Sequence, residues 1–258
     1  MLKKIIDAAT FMFSVILFSS VFSSAATAAE MPASAGEVLI TMVEGTAQVF
    51  TTGKKQPVSL KKGSKLQQNQ EVLVGEKSRV ELLFPDGTVM RLAEKSRLNL
   101  AKIAFDRKTE GKNVNVNLGL GKLWAKVKKL VTPDSSVEVR TANAVAGVRG
   151  TVYRVNVNDD RSALVKVYDG SVYVANPPID KSKPTDKITA PVPVAGPHEV
   201  APPVHEVSVE EWHVTVKSFQ QVSISPQGVA SQPQDFDPKA DADDWVRWNQ
   251  ERDKDVVF

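Results

Sequence analysis

Three histidines, His198, His205 and His213, stand close to Glu199, Glu206 and Glu211. Imidazole and carboxylate are donors that zinc takes, yet spacings of seven and eight residues give no pair four apart on one helix face. These histidines are read as structural or solvent-facing. Asp235, Asp237, Asp241, Asp243 and Asp244 offer the hard oxygen donors that calcium prefers. That run lacks the central glycine and closing glutamate of an EF-hand, and helix capping accounts for the same residues. Cysteine is absent, which excludes disulfides, thiolate metal sites and cysteine nucleophiles together. A serine triad would need a histidine base, and every histidine lies in a proline-rich tail. No Walker loop occurs, and no GxGxxG opens a helix after a strand. Paired carboxylates for glycoside cleavage have no local signature. The expectation is a non-enzymatic chain with no catalytic residue, no metal and no cofactor.

One cationic motif stands apart. In "TANAVAGVRGTVYRVNV", Thr141 to Val157, Arg149 is framed by Gly147 and Gly150. A GxxG clamp for nucleotide backbones needs helices on both sides, and here an alternating strand pattern follows. Two glycines with an arginine can form an anion-binding nest. The preferred reading is a tight bend, with glycine supplying positive φ and close backbone approach, and with Arg149 bracing the turn through carbonyls or a carboxylate.

The elements around it are strands. From Gly36 to Asn176 the text alternates toward β-branched residues, as in "NVNVNLGLGKLWAKV", with almost no helical periodicity. Asp86-Gly87 and Asp169-Gly170 each sit between alternating runs and predict hairpins with type I′ turns. Gly53, Gly63, Gly75 and Gly87 recur at spacings of 10, 12 and 12 residues, a rhythm that suits stacked strands. The fold class is therefore all-β: a β-solenoid-like or rolled antiparallel sheet, with a β-sandwich as the alternative.

Residues 1–28 read as a secretory signal. Lys3 and Lys4 form the n-region, Ala8 to Phe18 the apolar run, and Ala26-Thr27-Ala28 the cleavage site. The run falls short of the roughly 20 apolar residues that span a bilayer. An exported, periplasmic chain with no transmembrane helix after cleavage is expected; an uncleaved inner-membrane anchor is the alternative. The net charge of +3 hides an asymmetry: Ala29 to Asn176 carries 23 Lys/Arg against 15 Asp/Glu, and Pro177 to Phe258 carries 8 against 14. A basic body and an acidic tail can attract each other or face different partners. Export points away from nucleic acid and toward anionic lipid headgroups, polysaccharide or an acidic protein.

After the body the composition changes. Residues 176–206 hold eight prolines, which makes 177–205 an extended linker or strap. Residues 206–258 form an acidic segment: a short helix and a strand at Val222 to Ile224, then "DADDWVRWNQERD". There Asp241 or Asp243 can cap a helix, and Trp245 and Trp248 share one face. The two indoles are expected to dock on the basic body or on a partner.

The ordered set "EGTAQVF", "KKGSKLQQNQEVLVGEKSRVELLFPDGTVMRL", "GLGKLWAKV", "TANAVAGVRGTVYRVNV" and "VKVYDGSVYVAN" resembles the FecR domain family over about Glu44 to Val174. The residues that match its pattern are Asp86, Gly87, Trp124, Gly147, Val148, Arg149, Gly150, Thr151, Asp169 and Gly170, all read as structural. The sequence has Ala142-Asn143 where the family usually has Thr-Pro. Founding members are inner-membrane sigma-factor regulators with a cytoplasmic region and a transmembrane helix before this domain. Here the domain is expected to follow a cleavable signal without that region. The resemblance implies a β-rich periplasmic sensing or binding module. The expected function is binding a protein or cell-envelope partner. The alternatives are a membrane-linked signalling component of iron-uptake regulation and, as a minor one, an envelope polysaccharide hydrolase.

Overall fold

The computed structural model describes residues 36–54, 56–106, 108–133, 135–177 and 212–256. The signal segment, most of the proline-rich stretch, His198 and His205 lie outside them. The chain opens with β1 (Glu37–Glu44), β2 (Ala47–Thr51), β3 (Val58–Ser59) and β4 (Lys65–Gln67). Next come β5 (Gln70–Val74), β6 (Arg79–Leu83), β7 (Val89–Leu92), β8 (Arg97–Phe105) and the long β9 (Lys112–Lys126). β10 (Ser136–Arg140), β11 (Val145–Val148), β12 (Val152–Val157), β13 (Ala163–Asp169) and β14 (Ser171–Ala175) complete the body. The acidic segment adds β15 (His213–Lys217), β16 (Gln220–Ile224), β17 (Gln234–Asp235) and α1 (Asp244–Asp253). The all-β expectation and the short C-terminal helix hold. Among the described residues, no helix is long and apolar enough to cross a membrane.

The strands form two layers. The first runs β4-β1-β6-β7-β9-β12-β13-β16-β17. The second runs β3-β2-β5-β8-β9-β10-β11-β14-β15. β9 belongs to both: its first part pairs with β8 and β10, and Gly121 to Lys126 pair with β12. The layers are thus one open, rolled sheet. β9 and β10 run parallel, the single departure from the antiparallel expectation among the described pairs.

Alternation builds the interior. Val114, Val116 and Leu118 of β9 are buried, and the asparagines between them face outward. Val72 and Val139 from the second layer meet Ile40, Leu82, Val155 and Val165 from the first in one cluster. Each such aliphatic side chain contributes about 1.5–3 kcal/mol on burial.

Two turn expectations change on inspection. At Asp86-Gly87 the hairpin forms, but only Gly87 has positive φ, at 92°. Pro85 fixes the first central residue of a type I turn, closed by Gly87 N donating to Phe84 O, and Gly87 takes the left-handed position after it. At Asp169-Gly170 no hairpin forms: β13 pairs within the first layer and β14 within the second. Gly170 is a corner between layers. The short helix expected ahead of Val222 is replaced, within the described residues, by β15 and β16.

Gly150 is also a corner, between β11 and β12. Its φ is +109°, and a Cβ there would lie 2.7 Å from Lys129 Cα. Gly147 lies within β11, where a Cβ would meet only Tyr173 O at 3.9 Å. Gly150→Ala is expected to cost about 2–4 kcal/mol in urea unfolding, and Gly147→Ala to stay within about 1 kcal/mol of the parent. Equal effects would contradict the corner assignment.

Candidate functional site

The first layer carries a row of polar side chains on the face turned away from the aliphatic cluster. Strand register sets Glu81 opposite Arg91, Arg91 opposite Trp124, Trp124 opposite Arg154, and Arg154 opposite Lys166. Each is flanked along its own strand by buried aliphatic or aromatic residues: Val80 and Leu82, Met90 and Leu92, Leu123 and Ala125, Tyr153 and Val155, Val165 and Val167. Arg91 is 0% exposed and Arg154 5%. Buried guanidinium groups require anions within hydrogen-bond reach.

The acidic tail supplies those anions. Asp243 caps α1, its Oδ1 accepting from Val246 N at 2.8 Å. Trp245 and Val246 pack with Ala93, Trp124 and Tyr168 in a second apolar cluster, and Phe236 and Trp248 flank it. At the other end of the helix, Asp253 accepts from Arg91 Nη1 at 2.5 Å and from Trp124 Nε1 at 2.9 Å. Arg252 donates to both oxygens of Glu81 at 3.0 Å, while Arg91 Nε and Thr41 Oγ1 donate to the same carboxylate at 2.6 and 2.7 Å. Before the helix, Asp241 accepts from Arg154 Nη2 and Lys166 Nζ, both at 2.7 Å, and from the Tyr168 hydroxyl at 2.5 Å. Lys126 Nζ donates to the carbonyls of Asp253 and Val256 at 2.7 Å, a cation at the negative end of the helix dipole. Trp248 has Arg79, Arg252 and Arg91 over its ring at 4.9, 5.3 and 5.9 Å.

These contacts decide the protonation states. Burial alone would raise the Glu81 pKa, but hydrogen bonds from Arg252, Arg91 and Thr41 outweigh it and hold the carboxyl at about 2. Burial and the bond to Asp241 push the Tyr168 phenol above its usual range. Glu81 stays ionised and Tyr168 protonated across the neutral range, so neither exchanges a proton there. The arrangement binds the C-terminal segment, and neither Glu81 nor Tyr168 is poised for acid–base chemistry at neutral pH.

Of the residues singled out in the sequence, Trp124, Asp241, Asp243, Trp245 and Trp248 belong to this contact, and the others lie elsewhere in the fold. Asp86 accepts from Thr88 N and Oγ1 and pairs with Lys112, locking the β6–β7 turn. Trp124 lies at the centre of the polar row. Thr151 Oγ1 donates to Ser171 O at 3.1 Å, tying the corner at Gly150 to the one at Gly170. Asp169 is exposed beside Gly170, and Val148 is buried in β11. Arg149 does not brace its turn: it is exposed and, among the described residues, makes no side-chain hydrogen bond or ion pair. Trp245 and Trp248 stack on each other, 5.4 Å between centroids, against the chain's own sheet. His213 stacks on Tyr173. Asn143, at the Ala142-Asn143 variation, donates to the carbonyls of Arg161, Ser225 and Pro226. Asp235 accepts from Gln220, and Asp237 from the amide of Lys239.

Glu81, Arg91, Arg154, Lys166, Tyr168, Arg252 and Asp253 escaped sequence reasoning. The signal was a lone charge inside an apolar strand, as in "VELL", "VMRL", "VYRV" and "LVKV".

Removing Asp241 strands the buried Arg154 and Tyr168 and the part-buried Lys166. Asp241→Ala is expected to cost about 3–5 kcal/mol at pH 7, read by urea unfolding. Glu81 has a folded pKa of about 2 against an ordinary 4.5, so its stabilisation is complete above pH 4.5 and is lost as pH falls through 2. That contribution is about 3 kcal/mol by linkage. Glu81→Gln is expected to flatten the acid limb of the Tm profile across that window, with the largest difference from the parent at neutral pH.

A family profile described as FecR protein matches residues 70–173, from the start of β5 into β14. Two crystal structures of a candidate anti-sigma factor from Parabacteroides distasonis, at 1.65 and 2.50 Å resolution, are similar to the chain at 17% and 16% identity. Both have a TM-score of 0.43, and the similarity covers 65% of this chain and 60% of that one. The chain thus spans about three-fifths of that protein's length. Among curated proteins, none matches.

Proposed function

We propose, from the premise that this chain carries a FecR domain over residues 70–173, a non-enzymatic interaction protein of the cell envelope with a signalling or regulatory role. The observation that carries this reading is the closed polar row. Glu81, Asp241 and Asp253, the carboxylates of that row, are each held by two or more donors. A hydrolase would need one of them free to bind water or a leaving group. The domain presents exposed basic and aromatic side chains on a rigid sheet, which suits recognition.

Export rests on Lys3, Lys4, the apolar run and Ala26-Thr27-Ala28. The organisation follows: residues 1–28 as signal, 36–176 as the FecR-like domain, 177–205 as linker or strap, and 206–258 as the acidic segment. Docking of that segment on the body reconciles the two opposite charges.

Crosslinking in intact cells of the native host tests this reading, with mass spectrometry of the product. The expected result is a chain beginning near Ala29, in the periplasmic fraction, joined to an envelope component. A chain that retains residues 1–28, or a mature chain with no crosslinked partner, would overturn it.

A further inference from the structure

The cations of the Gly147–Gly150 corner take no part in the polar row. Val127 N donates to Thr151 O at 3.0 Å, and Thr151 N to Val127 O at 3.3 Å. This antiparallel exchange brings the chain after β9 against the Gly150 corner, where a Cβ on Gly150 would lie 2.7 Å from Lys129 Cα. Lys128, Lys129 and Arg149 are all exposed, and among the described residues none makes a side-chain hydrogen bond or ion pair. Among the described residues no carboxylate pairs with them, and Asp169 in the adjoining corner is exposed and makes no ion pair there. The same loop then turns Leu130 into the core and Val131 out, 67% exposed.

We propose that Lys128, Lys129, Val131 and Arg149 form a docking surface for an anionic lipid bilayer. The cations reach headgroup phosphates, and the valine enters the boundary below them. An acidic peptide would need a free backbone edge or a groove to hold its main chain. Here the backbone groups of Val127, Lys128 and Thr151 are already occupied: Val127 and Thr151 bond each other, Lys128 N donates to Thr88 Oγ1, and Lys128 O accepts from Lys112 Nζ. What remains free is side-chain charge on a fixed corner, which meets a diffuse anionic surface without further ordering. The surface names the envelope component of the reading above and rests on that reading.

The test is vesicle co-sedimentation of the exported protein purified from its host. The vesicles contain phosphatidylglycerol and phosphatidylethanolamine, or phosphatidylcholine alone. Each cation near an anionic bilayer is worth about fivefold in partitioning. Lys128→Gln/Lys129→Gln/Arg149→Gln should therefore bind anionic vesicles about a hundredfold more weakly than the parent, with unchanged Tm. Val131→Asp should lose severalfold, and salt at 0.5 M should weaken the parent while leaving the triple variant little changed. Equal binding of the parent to both vesicles, or a triple variant as tight as the parent, overturns the proposal. So does a parent that ignores vesicles but binds polyglutamate in a variant-sensitive way, which would make the partner an acidic polypeptide. If the triple variant loses vesicle binding or shows none to lose, the crosslinking experiment still decides the envelope reading separately.

Discussion

A guanidinium with no exposure dictates much of this architecture. Arg91 sits in the middle of β7 between Met90 and Leu92, both in the core, so its charge is fixed in place. Leaving such a charge unpaired costs several kcal/mol. The sheet itself offers one carboxylate, Glu81 on the neighbouring strand. The second, Asp253, comes from the C-terminal helix, 162 residues away in sequence. Arg154 and Lys166 repeat the arrangement two strands further on, with Asp241 as their shared anion. The acidic tail is thereby the counter-ion of the basic body, and the asymmetry of charge along the chain is resolved inside the fold.

The tail can reach that face because the chain winds between layers. β1 to β2, β5 to β6, β11 to β12 and β13 to β14 each change layer at a glycine: Gly45, Gly75, Gly150 and Gly170. β15 and β16 continue the pattern, one in each layer, so that β17 pairs with β16 in the first layer and α1 then lies over that layer's outer face, on β6, β7 and β9. Apolar burial then seals the contact through Trp124, Tyr168, Trp245 and Val246. The ion pairs place the helix, and the indoles exclude water from the ion pairs.

Much of this was legible in the residues. Alternation in β9 and in β13 identified strands, and Asp243 with Trp245 and Trp248 identified the helix and its buried face. Asp169-Gly170 misled because a tight turn looks the same whether the next strand pairs with the last one or crosses to another layer. Asp86-Gly87 kept its hairpin but changed its turn type, since Pro85 already sets the backbone angle. The polar row was invisible for a different reason: a lone arginine among aliphatics reads as an outward residue of a half-solvated strand. Only a distant segment that covers that face turns it into a buried ion pair. Arg149 was expected to be held and, among the described residues, has no partner, because backbone bonds, Gly150 and the Thr151 hydroxyl make the corner.

If the tail is part of the body's electrostatic balance, helix and sheet must open together. Native-state hydrogen exchange under increasing urea measures this directly. Amides of Arg247 to Arg252 should exchange at the same opening free energy, with the same urea dependence, as amides of β7 and β12. Exchange of the helix through a local opening that leaves β7 and β12 protected would contradict the account.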